Sequence, residues 1–213
     1  MKVTVVYDNC TSKPALKTGW GFSCLIEVGS EPPLLFDTGA DGATLLYNMK
    51  ELNIDPLEIG IIVLSHGHGD HTGGLAAILE RNRHAEIYVP ASVTLRLSGR
   101  KVVSLSQPVW ITKSVFSTGE LKDIEQSLAV KTDKGLVVIV GCSHPGVGVI
   151  LDKVSQQGKL YGIIGGLHGF RNFERLRELS LLCPCHCTQY KHELKEQFPK
   201  QHVLCGAGLV IEI

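Results

Sequence analysis

The chain has 213 residues, enough to bury a sizeable core, and we expect residues 1–213 to form a single domain. Its 21 basic and 21 acidic side chains give a formal net charge of zero, so charge gives no reason to expect nucleic acid or a membrane surface as a partner. The chain also lacks an apolar run of the roughly 18 residues that cross a membrane. Seven cysteines are an odd number, which favours a cytoplasmic protein with free thiols over a disulfide scaffold.

The first part of the chain is predicted to be strand-rich. Residues 2–7 form a first strand, a loop follows, and residues 24–28 and 34–36 pair as a hairpin. Trp20 and Phe22 lie between glycines at the end of the loop, a pattern typical of a pocket rim. They are therefore candidate substrate-binding residues, with core packing as the open alternative.

Asp37 begins a D-T-G sequence directly after the third strand. Aspartic proteases also carry D-T-G, but they need two copies or a dimer and have no histidine cluster. A buried carboxylate at a strand end needs hydrogen-bonding or charged partners. A helix over residues 44–52 is expected next.

A dense group of metal-ligating side chains follows the apolar strand of residues 61–64. The sequence of residues 65–74 is S-H-G-H-G-D-H-T-G-G, which places four candidate ligands within six positions: His66, His68, Asp70 and His71. Alternation along an extended segment puts His66 and His68 on one side, facing one ion. Asp70 and His71 can turn toward a second ion. Imidazole and carboxylate ligands suit Zn²⁺ or iron.

The second half repeats one pattern three times: an apolar strand, a glycine or proline, a histidine and a helix. The histidines are His144, His168 and His186, and the helices are predicted at residues 145–157, around residues 173–179 and at residues 189–198. Strand–helix–strand units make neighbouring strands parallel, so the three histidines should emerge at one sheet edge. Strands are also expected at residues 179–183 and 202–213.

The motif H-x-H-x-D-H followed by T-G-G resembles the metal motif of the metallo-β-lactamase superfamily. That resemblance implies an α/β fold, the αββα four-layer sandwich, with a one- or two-metal site at one edge of its sheets. Asp37 then corresponds to the aspartate that braces the metal loop. A third-motif histidine is absent from residues 116–120, and Cys142 takes the position of the bridging aspartate. We infer that His144 supplies the missing ligand; a purely structural histidine is the alternative.

The sequence H-C-T-Q-Y at His186 is similar to the closing motif of the tRNA 3′-processing branch. By that resemblance His186 is a metal ligand and His168 a proton donor or substrate-binding residue, although the two roles could be exchanged. Cys183, Cys185 and Cys187 alternate, so on an extended strand they would share one side. They are interpreted as small buried hydrophobes, or as thiols of which one approaches the metals.

Motifs along nearly the whole chain resemble the subfamily named after 7,8-dihydropterin-6-methyl-4-(β-D-ribofuranosyl)aminobenzene 5′-phosphate synthase. The resemblance implies an enzyme with two divalent ions, Zn²⁺ preferred and Fe or Mn as alternatives, acting on a small molecule that is phosphorylated or a pterin. Hydrolysis of a phosphoester, lactone or thioester is the main alternative, followed by a di-iron redox protein and a non-catalytic metal-binding protein. Oligomeric state is left open. The expected catalytic residues are Asp70, His168 and Asp37, and the expected ligands are His66, His68, Asp70, His71, Cys142, His144 and His186.

Overall fold

The structure is a computed structural model that describes residues 1–213. Thirteen strands form two mixed sheets, one of seven strands in the order β13-β1-β2-β3-β4-β5-β6 and one of six in the order β12-β11-β10-β9-β8-β7. The strands are β1 (Lys2–Tyr7), β2 (Ser23–Glu27), β3 (Leu34–Phe36), β4 (Ile61–Val63), β5 (Glu86–Pro90), β6 (Val102–Leu105), β7 (Val109–Trp110), β8 (Val115–Ser117), β9 (Leu128–Thr132), β10 (Gly135–Val140), β11 (Leu160–Gly166), β12 (Leu181–Cys185) and β13 (Val210–Glu212). The helices are α1 (Gly42–Glu51), α2 (Gly69–Thr72), α3 (Leu75–Arg81), α4 (Val147–Ser155) and α5 (Lys191–Gln197).

The two sheets pack face to face and carry helices on their outer faces. Side chains alternate along each strand: Val137 and Ile139 of β10 enter the core between the sheets, whereas Val138 and Val140 face α4. A separate cluster packs α1 and α3 on the other outer face. The layers are therefore helix, sheet, sheet and helix, which confirms the predicted fold class. None of the helices has the length and apolar character needed to cross a membrane.

Parallel strands bring several turns to one edge of each sheet. Strands β10, β11 and β12 are mutually parallel neighbours, as the histidine-bearing repeats predict. In the other sheet β3 and β4 are also parallel, so Asp37 and Ser65 follow strand ends that lie side by side. The C-terminal ends of these strands carry the loops that build the site.

The structure corrects three predicted elements. The helix expected around Phe173 is only a 3₁₀ turn, Phe173–Leu176, because an apolar repeat every three residues fits a 3₁₀ turn as well as a longer helix. The strand expected at 179–183 lies at Leu181–Cys185 and includes Pro184, which is tolerated because β12 is an edge strand. The last strand covers only Val210–Glu212, where it pairs with β1.

Candidate metal centre

The predicted ligands come together in two groups of three. Ligand atoms of His66, His68 and His144 lie within 4.8 Å of one another, and so do those of Asp70, His71 and His186.

The sulfur of Cys142 lies between the two groups. Its Sγ is 3.2 Å from Nε2 of His71. It also shares a third donor group with His66 and His71. The arrangement could hold two ions side by side, with Cys142 within reach of both.

A network centred on Asp37 orients two of the histidines. Oδ2 of Asp37, which is fully buried, accepts a hydrogen bond from Nδ1 of His71 at 2.7 Å and another from the Ser65 hydroxyl at 2.7 Å. Oγ of Ser65 in turn lies 2.8 Å from Nδ1 of His66, which can donate to it. With both Nδ1 atoms occupied as donors, the Nε2 lone pairs of His66 and His71 point toward the centre.

Two further residues orient the histidines of the second sheet. Oε2 of Glu125 accepts from Nδ1 of His144 at 2.9 Å, and Oδ1 of Asn9 lies 3.0 Å from Nδ1 of His186. Although burial opposes it, hydrogen bonds from His144 hold the pKa of Glu125 at about 2, so this carboxylate is charged at neutral pH. His144 and His186 therefore also leave Nε2 free to bind a cation.

The donor chemistry fits bound cations. Nε2 of His66 lies 3.0 Å from Nδ1 of His68, and two ring nitrogens without protons repel each other at this distance unless a cation or proton lies between them. Burial lowers the pKa of His66 to about 3 and that of His186 to about 4. Both imidazoles are thus neutral near pH 7, which is the form that ligates metal ions.

Strained turns hold these residues at the strand ends. Asp37, Ser143, His168 and His186 have positive φ values of 56°, 61°, 47° and 42°, a conformation that costs a non-glycine residue roughly 1–3 kcal/mol. Gly141 permits a close approach between the two sheets, because a Cβ atom there would lie 2.2 Å from Oγ of Ser65. The strain is therefore concentrated where backbone and side chains converge on the centre.

Three further residues predicted for the site, Trp20, Phe22 and Asp37, differ in burial and in their distance from the metal ligands. Trp20 is 62% exposed, and its ring centroid lies 4.8 Å from that of His186, at the mouth of the site. Phe22 is fully buried in the core between the sheets, the position that the core-packing alternative predicts. Asp37 is equally buried and accepts a hydrogen bond from His71, so its contacts are those of a residue that positions a ligand.

His168 is exposed, and its ring centroid lies 5.3 Å from that of His144. It sits outside both three-residue donor groups. This position is compatible with the predicted role of a proton donor beside the ions.

The sequence did not indicate three residues that support the centre: Asn9, Ser65 and Glu125. It did allow that one thiol of the Cys183, Cys185 and Cys187 set approaches the metals, and of these three thiols Cys187 lies nearest to the centre. Asn9 and Glu125 lie in stretches without a motif, and only the folded chain brings them to the histidines. Cys187 does not continue the alternation of Cys183 and Cys185, because the strand ends at Cys185 and the chain turns at His186. Its sulfur instead lies in a donor group with Cys142 and His186.

Comparison with known proteins agrees with this architecture. Residues 21–156 match the family profile of the metallo-beta-lactamase superfamily. The chain is 31% identical to the 7,8-dihydropterin-6-methyl-4-(beta-D-ribofuranosyl)-aminobenzene-5'-phosphate synthase of Methanocaldococcus jannaschii, over 90% of this chain and 89% of that protein.

Two crystal structures share the fold along nearly their whole length. Tm1679, a metal-dependent hydrolase of the beta-lactamase superfamily, superimposes with a TM-score of 0.76 at 24% identity, covering 100% of this chain and 99% of that one. The metallo-beta-lactamase fold protein YhfI from Bacillus subtilis gives a TM-score of 0.72 at 15% identity, with coverage of 100% and 99%. From its matching profile, its relative and its fold, this chain belongs to the metallo-beta-lactamase superfamily.

Proposed function

We propose that this protein is a two-metal enzyme that joins the methylene carbon of an activated 6-hydroxymethyl-7,8-dihydropterin to the amino group of a phosphorylated ribofuranosyl-aminobenzene. The C–N bond would form as the C–O bond to the activating group breaks, and the amino nitrogen would lose one proton. The observation that carries the proposal is the pair of three-donor groups on either side of Cys142. The choice of substrate rests on the 31% identity to the Methanocaldococcus jannaschii synthase. Seven free cysteines suit the reducing interior of a cell, where we expect this small-molecule enzyme to work.

Each group of residues has a separate part in this proposal. His66, His68 and His144 would hold one divalent ion, and Asp70, His71 and His186 the other, with Zn²⁺ favoured by the imidazole-rich set. Bound ions would supply Lewis acidity toward a substrate phosphate or another substrate oxygen. His168 would transfer a proton at the leaving group, since its exposed ring lies beside His144.

Hydrolysis of a phosphoester, lactone or thioester is the second candidate. One edge of the centre is exposed, because His68 and His168 face solvent there, and water and an ester substrate could both enter at this edge. The two functions are separated by incubating the metal-loaded protein with an activated 6-hydroxymethyl-7,8-dihydropterin and the aminobenzene riboside phosphate, and by testing a panel of esters. A coupled product detected by mass spectrometry supports the synthase. Ester turnover without coupling supports the hydrolase.

The two-metal proposal predicts the metal content of the protein. Wild-type protein purified without a chelator or an affinity tag should contain about two ions at this centre, and His66→Ala or His68→Ala should lose at least one of them while keeping the fold. Both substitutions remove donors from one group and leave the core intact. Plasma mass spectrometry measures the content, with the exposed His84→Ala as a matched control. Equal metal content in mutant and wild type would contradict the assignment.

Trp20 is proposed as a stacking surface for a planar substrate ring. Because an aromatic pair contributes about 0.5–1.5 kcal/mol, Trp20→Ala should raise KM by roughly 2–12-fold and leave kcat and metal content nearly unchanged. Trp20→Phe keeps a stacking ring and should retain most of the affinity. An unchanged KM in Trp20→Ala would show that this ring does not contact the substrate.

A further inference from the structure

Three cysteines form a second cluster of potential ligands, outside the metal centre. Their sulfur atoms lie within 4.8 Å of one another, and those of Cys183 and Cys185 are 3.8 Å apart. The relative exposures of Cys183, Cys185 and Cys205 are 1%, 0% and 7%, so the cluster is enclosed in the core between the sheets.

The three thiols come from two segments of the chain, strand β12 and the segment after helix α5. Cys183 and Cys185 project to the same side of β12, because residues two apart on a strand share a face. Beyond helix α5 the chain returns beside this strand, where the N–H of Val203 donates to the carbonyl of Leu182 at 2.8 Å. This contact brings Cys205 over the two strand cysteines.

A buried carboxylate lies beside the cluster, next to Cys205 and outside the group of three mutually close sulfur atoms. Oδ2 of Asp8 lies 3.7 Å from Sγ of Cys205, and Asp8 is fully buried. In a tetrahedral site with Zn–S bonds of about 2.3 Å, two sulfur ligands are about 3.8 Å apart. The 3.8 Å between the sulfurs of Cys183 and Cys185 matches that edge.

We propose that Cys183, Cys185 and Cys205 bind a structural Zn²⁺ ion, and that Asp8 moves past Cys205 to become the fourth ligand when the ion binds. The three thiols would lose their protons to solvent as the ion binds, and an enclosed four-ligand site leaves no position for a substrate. Because the site is buried, the ion would enter as the chain folds.

The proposed ion would also support the metal centre. Oδ2 of Asp8 accepts the backbone N–H of His186 at 2.9 Å, and β12 leads directly into His186. An ion that fixes Asp8 and β12 therefore fixes the strained turn that carries His186. This inference concerns separate ligands, so it does not depend on the identity of the substrate.

The first test is a zinc count on full-length, untagged protein expressed with added zinc. Cys205→Ser and Cys183→Ser should each contain about one Zn²⁺ fewer than wild type. Cys24→Ser, a matched buried cysteine in the same core, should contain as much as wild type. Equal zinc in all four proteins would overturn the proposal.

A second test detects the bound thiolates by their absorption. Cobalt bound to thiolate absorbs in the near ultraviolet, and Cys142 and Cys187 of the metal centre could contribute to that band. In Cys142→Ser/Cys187→Ser protein loaded with Co²⁺ during refolding, the thiolate band should persist, and adding Cys205→Ser should remove or strongly reduce it. If the band is already absent from the double variant, the three cysteines are ordinary core thiols and the proposal is wrong.

Discussion

His186→Ala should lose a bound ion, whereas His168→Ala should keep both ions and lose turnover. His186 is buried, and its Nε2 lies 3.1 Å from Oδ2 of Asp70 in the second donor group. Loss of a ligand removes much of the affinity for the ion, and the Asn9 side-chain oxygen no longer has a ring N–H to accept. His168 is exposed and lies outside both groups, so its loss should lower kcat by about 10²–10⁴-fold, as for a proton donor.

Metal analysis of the two purified variants checks this prediction before any substrate is known. Circular dichroism verifies that each variant is folded, and kcat is compared once a substrate turns over. An ion lost from His168→Ala and retained in His186→Ala would mean that the two roles are reversed.

Glu125→Ala should be the most destabilising single change at the site. The fully buried carboxylate accepts hydrogen bonds from the backbone N–H groups of Cys142, Ser143 and His144 and from the His144 ring, at 2.9–3.0 Å. Removing a partner from a buried charged network costs about 3–5 kcal/mol. For a chain of this size that corresponds to a fall in Tm of roughly 6–20 °C. The first donor group should also lose its ion, because His144 is no longer held.

Thermal unfolding and metal analysis together measure this effect. Glu125→Gln keeps the shape and one acceptor oxygen, so it should be intermediate in stability. Glu178→Ala removes an exposed carboxylate and should change the free energy of unfolding by no more than about 0.5 kcal/mol. A Glu125→Ala protein as stable as this control would show that the turn from Cys142 to His144 is held by other contacts.

Local patterns in the sequence predicted the parallel strands and the ligand loop, and the motif resemblance implied the four-layer architecture. Apolar strands alternating with helices predicted parallel pairing, and β10, β11 and β12 are parallel neighbours. The spacing of His66, His68, Asp70 and His71 predicted a cluster of ligands on one loop, and the structure brings these side chains together. Such features are short-range, because a strand end fixes where the next few side chains emerge.

Several features depended on contacts between distant parts of the chain. Phe22 and Trp20 look equivalent in the sequence, but one fills the core and the other lies at the mouth of the site. The sequence also gave no signal for Glu125, which is polar yet fully buried, because its partners lie 17 to 19 residues further along the chain.

By itself, then, the sequence determined the metal loop and the shared edge of the histidine turns, since each follows from periodicity and nearby residues, and the motif resemblance implied the fold class. Only the tertiary structure decided which side chains orient those histidines and which cysteines lie close together in the core. Asn9 reaches His186 across 177 residues, and Cys205 reaches Asp8 across 197. Contacts at such separations arise from the packing of the two sheets, and no local pattern encodes them.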